Sequence, residues 1–174
     1  VPDGEFAFYN GTSMAAPHLA GAAAVVWSQH PTWTAWQVRS AITNTADLDA
    51  TVVHYDGDLA DDPNLVGAGL LDVAAAVNAT ALMSPVSASF GTAERGAGHT
   101  ITRYVTLRNL GGTTLTARVV GGHGSATFSV SGSVGAGSTG VLTVVARTAK
   151  GATVGHSRAT VEILSGDTVV AHLR

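Results

Sequence analysis

Between Ala79 and Ser84 the spacing of apolar residues changes from a helical repeat to alternation, and that switch divides the chain into two units of different architecture. Before it, residues 1–80 carry helical patterns. After it, residues 82–174 read as a run of short strands separated by Gly-rich turns. The charges divide at the same place. Residues 1–80 hold nine acidic side chains against Arg39 alone, whereas residues 81–174 hold eight basic against three acidic. At 174 residues and 45% apolar content the chain can bury real cores, and without cysteine it has neither a disulfide framework nor a thiolate metal site.

In the first unit, Glu5 to Tyr9 alternates and reads as a short strand, which runs into Asn10-Gly11-Thr12-Ser13 and then into a long run of small and apolar residues. Pro17 fits a helix only near its beginning, so the helix is expected to start at Thr12 or Ser13 and to reach Gln29. That helix has no polar face, and its pattern predicts burial on all sides. Ser13 then lies on the first turn, where backbone N–H groups lack intrahelical partners and the helix dipole is positive. A nucleophile and its oxyanion are served by that arrangement, although an ordinary cap would use it too. His18 follows Ser13 by five residues, about 500° of helical rotation, and so points away from it.

A second helix is expected after Thr32 or Thr34, with Ala35, Trp36, Val38 and Ile42 on its apolar stripe and its end near Ala46. Trp33 and Trp36 read as core residues. From Asp47 to Asn64 the chain is an acidic loop. Its Asp56, Asp58, Asp61 and Asp62 supply oxygens of the kind that bind Ca²⁺, but the spacing is not that of an EF-hand, and a solvated loop is the first reading. A third helix is expected over Val73 to Asn78. Gly67-Ala68-Gly69 lacks the rest of a nucleotide-binding fingerprint.

In the second unit seven strands are expected: Val86–Phe90, Thr100–Asn109, Thr113–Val120, Ala126–Ser131, Gly140–Thr148, Ser157–Leu164 and Thr168–Leu173. That number and spacing predict a β-sandwich. His123, His156 and His172 are scattered without metal-ligand spacing. The basic charges lie singly along strands without interleaved aromatics, which argues against nucleic acid as a partner, and no apolar run is long enough to span a membrane.

Gly11-Thr12-Ser13-Met14-Ala15-Ala16-Pro17-His18-Leu19-Ala20-Gly21 resembles the nucleophile segment of the subtilisin-like serine proteases, and the resemblance extends over about residues 5–80. It implies an α/β subtilisin-like catalytic domain, of which residues 1–80 are the C-terminal, mostly helical portion, followed by the all-β sandwich of residues 82–174. The implied nucleophile is Ser13. Thr12 and the Ser13 amide flank the oxyanion hole, Met14 adjoins the nucleophile, and Tyr9 and Asn10 lie on the leaving-group side. The family supplies its triad Asp and His from earlier segments, so this chain is expected to be a fragment that is nearly inert alone and needs the missing N-terminal part of the domain as its partner. The implied activity is endopeptidase cleavage of a protein or peptide substrate in an extracellular setting, with structural Ca²⁺ the one cofactor under consideration. Val105 to Thr113 resembles a strand and turn of fibronectin type III-like modules. The competing expectation is a non-catalytic extracellular or cell-surface binding module on an inherited protease scaffold.

Overall fold

The structure, a computed structural model, describes residues 9–48, 62–94 and 96–174. The expected strand before Tyr9 and most of the acidic loop lie outside the described residues. The first long helix, α1, runs from Thr12 to Gln29. Its end is set by Pro31, because the residue before a proline is pushed out of the helical region, and the His30 amide closes the last turn on the Val26 carbonyl at 3.0 Å. The His30 ring stacks on Trp33 with centroids 3.8 Å apart and donates from Nε2 to the Val77 carbonyl at 2.7 Å.

Helix α2, Ala35–Asn44, begins with a capping arrangement in which the Thr34 amide and hydroxyl both donate to Gln37 Oε1, at 2.8 and 2.9 Å. A short helix α3, Pro63–Val66, overlaps the end of the stretch expected to be loop, Asp47 to Asn64. Pro63 at its start and the Asp62 side chain, which accepts from the Asn64 amide, account for it. Helix α4, Val73–Val77, is capped by Asp72, whose carboxylate accepts from the Ala75 amide at 2.8 Å.

Seven strands follow: β1 Ala81–Ser84, β2 His99–Asn109, β3 Leu115–His123, β4 Ala126–Ser131, β5 Thr139–Thr148, β6 Arg158–Ser165 and β7 Thr168–Leu173. They form two antiparallel sheets, one of order β1-β2-β5-β4 and one of order β3-β6-β7. Inward residues of both, among them Val105, Leu107, Leu142, Ile163 and Leu173, make one buried cluster. The expected strand Val86–Phe90 is not one. Pro85 interrupts the ladder, and the segment contributes Ala88 and Phe90 to the edge of the cluster instead, held by an Ala88 amide bond to the Arg174 carbonyl at 3.1 Å. The strand that sequence reading passed over is β1. Its four residues are too few to display a period, and three of the four are buried because both of its faces are covered.

Two clusters share β1. Ala81 and Met83 enter the cluster between the sheets, while Leu82, on the opposite face, packs with Ala22 and Val26 of α1, Val38, Ala41 and Ile42 of α2, and Ala76 of α4. A second face of α2 is polar yet equally buried. Ser40 donates to Asn44 Oδ1 at 2.9 Å and accepts from the Met83 amide at 2.6 Å, and Asn44 Nδ2 donates to the Val86 and His172 carbonyls at 2.9 and 2.8 Å. Against expectation, α1 buries only Ala22 and Val26 among the described residues, leaving Leu19, Val25 and Trp27 about half exposed. Trp36 is also 40% exposed, because the stripe that packs is Val38, Ala41 and Ile42 and Trp36 lies off it.

Replacing Asn44 with Ala strips the donor from two carbonyls, and the expected loss is about 2–4 kcal/mol in urea unfolding. The exposed Asn78→Ala change, which removes one bond to the Ala74 carbonyl, is the control and costs under about 1 kcal/mol. A second expectation concerns His172, which is buried on β7 with Nε2 bonded to the Ala68 carbonyl at 2.9 Å. Burial, reinforced by Arg174 and opposed by the Ala68 bond and by Glu162, holds its pKa below the ordinary 6.5. The folded state therefore favours the neutral ring. As pH falls through 6.5 the unfolded chain takes up the proton first, so stability declines until the folded pKa is passed and then levels. His172→Gln flattens that part of the profile, as read from urea midpoints between about pH 7.5 and 5.

Candidate active site

Tyr9, Asn10, Thr12, Ser13 and Met14 are all exposed and form one continuous segment at the N-terminus of α1. Gly11 makes the turn. Its φ of 131° is a conformation that side chains rarely adopt, and its carbonyl accepts from the Met14 and Ala15 amides at 3.0 and 3.1 Å. Among the described residues no side chain caps the helix, and the Thr12 and Ser13 amides have no partner there. A positive dipole end, N–H groups and a hydroxyl on one turn can serve an oxyanion.

Pro17 is the sixth residue of the helix, two positions beyond the opening turn. Having no N–H, it leaves the Ser13 carbonyl without its usual partner four residues on. His18 donates from Nδ1 to the Met14 carbonyl at 2.7 Å, so it braces the helix and does not act on Ser13. Among the described residues no histidine or carboxylate is hydrogen-bonded to the Ser13 side chain.

Of the calcium candidates, Asp56, Asp58 and Asp61 lie outside the described residues. Asp62 is inside, and both its oxygens are engaged: Oδ1 accepts from the amide and side chain of Asn64 at 2.9 and 3.0 Å, and Oδ2 faces Arg158 at 3.5 Å. The Asn64 amide above all holds its carboxyl below the usual range.

A large open groove lies elsewhere. It is walled by residues 86–94, by Gly96 and Ala97 and by residues 152–158, it reaches Arg39 of α2, and no α1 residue lines it. Sequence reading found no trace of it, because its walls come from segments more than fifty residues apart without a shared motif.

The profile of the subtilase family matches residues 1–69. Subtilisin of Bacillus pumilus is 45% identical over 76 residues, which is 44% of this chain and 24% of that protein. Subtilisin E of Bacillus subtilis (strain 168) is 45% identical over 76 residues, 44% of this chain and 17% of that protein. The minor extracellular protease Vpr of the same strain is 44% identical over 82 residues, 47% of this chain and 10% of that protein. The matches thus span about a quarter or less of these relatives' lengths.

Gly11→Ala meets no atom of the described residues within 4 Å, and the cost expected is that of its φ of 131°. About 1–2 kcal/mol of local strain is expected, seen as amide exchange at Met14 and Ala15 faster by about 5- to 30-fold.

Proposed function

We propose, from the premise that residues 1–69 are subtilase-family sequence, that Ser13 is the nucleophile of a serine endopeptidase. The observation that carries this reading is the Gly11 turn, which sets the Ser13 hydroxyl beside the unpaired amides of a helix N-terminus. The Ser13 oxygen attacks the scissile carbonyl, the developing oxyanion is held by N–H groups at the turn, and the acyl-enzyme is then hydrolysed. A base must take the serine proton. Since none of the described residues is placed for that, the base and the carboxylate that orients it are proposed to come from another segment of the catalytic unit, and residues 1–174 by themselves to turn over poorly. The exposed apolar side of α1, with Leu19, Val25 and Trp27, supports a catalytic unit larger than the described helices.

The two sheets support a sandwich module after the helices. Lettered in chain order, the strands give ABED against CFG, the arrangement of constant-type immunoglobulin sandwiches, and the fibronectin type III-like reading of residues 82–174 is proposed at that coarser level of an immunoglobulin-like fold. The extracellular setting rests on the likeness to an extracellular protease. That no base stands beside Ser13 among the described residues favours a second reading, a non-catalytic extracellular or cell-surface binding module on a protease scaffold.

Serine-directed organophosphonate labelling of the complete protein tests the assignment. The expected result is one label, on the peptide containing Ser13, lost together with casein cleavage in Ser13→Ala. Label on a different serine, or none on a preparation that cleaves casein, overturns it.

A further inference from the structure

The groove beside the sheets is a mixed surface with an uneven charge. Its apolar lining includes Val144, Val161 and Leu173 of the cluster between the sheets, together with Ile101 and Phe128, which are only half buried. Arg39, Arg158 and Arg174 line it together with His99 and His156, and Glu94 is the one carboxylate among its lining residues. These cations are not equally occupied. Arg158 faces Asp62 and Arg174 donates to the Gly67 carbonyl at 3.3 Å, whereas Arg39 is exposed and has no ion-pair partner among the described residues. The His99 Nε2 is buried and has no hydrogen-bond partner. Such an atom calls for one.

We propose that this groove binds an extended acidic peptide, seating an apolar side chain between the sheets while flanking carboxylates meet Arg39 and the neighbouring basic residues. The charge selects the sign of the occupant, and the apolar lining requires that it also have an apolar part. A bare phosphate or sulfate lacks that part. Phe90 and Phe128 pack edge to face on one another with centroids 5.7 Å apart, and Arg103 lies 5.9 Å over the Phe90 ring, so these rings offer no open platform for stacked bases. The walls are irregular chain over residues 86–94 and 152–157; the Val86, Ser89 and Thr153 carbonyls and the Ala88 and Ala152 amides are already bonded within the chain, and the other main-chain groups lie outside any ladder and can pair with an extended backbone. The inference goes beyond the peptidase reading and does not rest on it.

The test uses residues 1–174 with Ser13→Ala, so that nothing is turned over, and a fluorescein-labelled peptide of sequence Asp-Leu-Asp-Phe-Asp, with its Asn-Leu-Asn-Phe-Asn counterpart as the neutral probe. Fluorescence anisotropy is expected to show the acidic peptide binding at least about fivefold more tightly at low salt. That advantage shrinks as ionic strength rises from about 0.05 to 0.5 M, where the screening length falls to a few ångströms. Arg39→Glu weakens the acidic probe at least about fivefold. Arg39→Gln, which removes the charge without reversing it, weakens it by a smaller factor. The three isoleucines report location: the Ile101 methyl resonances shift on titration, and those of Ile42, buried among the helices, do not. Equal affinity for both peptides, indifference to both Arg39 variants, or a stationary Ile101 overturns the proposal. So does acidic-peptide binding seen only after Asp56, Asp58 and Asp61 are changed to Asn, which identifies the chain's own acidic segment as the occupant.

Discussion

The structure depends on one buried amide. Asn44, at the last position of α2, reaches the carbonyls of Val86 and His172, and with Ser40 it also secures the Met83 amide of β1. Removing an amide from water without replacing its bonds costs more than one good hydrogen bond returns, so the arrangement is stable only with all partners in place. That requirement makes it specific. An apolar residue there would let α2 slide on β1, whereas Asn44 permits a single register between helix and strands. Because the apolar face of α2 packs on Ala22 and Val26, the position of α1, and with it the direction in which Ser13 is presented, is tied through two layers to the sheets.

Strand β1 completes that tie by serving two clusters at once. Alternation sends Ala81 and Met83 one way and Leu82 the other, so four residues join the helices to the sheets without a linker. A connection of this kind resists relative motion, since any twist between helices and sheets exposes apolar surface on both sides of one strand. The remaining polar contacts across the same boundary, His172 to the Ala68 carbonyl, Arg174 to the Gly67 carbonyl and Arg158 to Asp62, are spread along the rest of it.

Much of this was legible in the sequence, and the parts that were not share a physical cause. The helix from Thr12 and the strands Ala126–Ser131 and Thr168–Leu173 emerge at the expected residues because a local period and a local turn specify each of them. Strand β1 escaped because burial on both faces erases alternation. Val86–Phe90 misled because it has strand-like composition beside a proline that ends the ladder. Trp36 misled because a large ring at helical spacing signals a buried face only when a neighbour covers that face, and here the neighbour covers the side carrying Val38, Ala41 and Ile42. The Gly11 turn and the helix start that carries Ser13 were legible because that geometry is local. The groove and the Asn44 contacts were not, since they join residues up to 128 positions apart.

The division of charge visible in the sequence becomes, in three dimensions, an asymmetry across one boundary. The first eighty residues carry an acidic excess and the rest a basic one, yet among the described residues only Asp62 and Arg158 meet as an ion pair between them, at a separation of 3.5 Å. A partly exposed pair at that distance contributes little to stability, so charge attraction is not what holds the two units together; apolar packing on β1 and the bonds of Asn44 do that. Arg39 lines the groove together with segments after β1 and at the start of β6, and it has no ion-pair partner among the described residues. Its charge is thus available to something other than the fold, on a surface that no α1 residue lines. The proposed chemistry at the end of α1 and the proposed recognition beside the sheets therefore call on different residues, and substitutions that test one leave the side chains of the other in place.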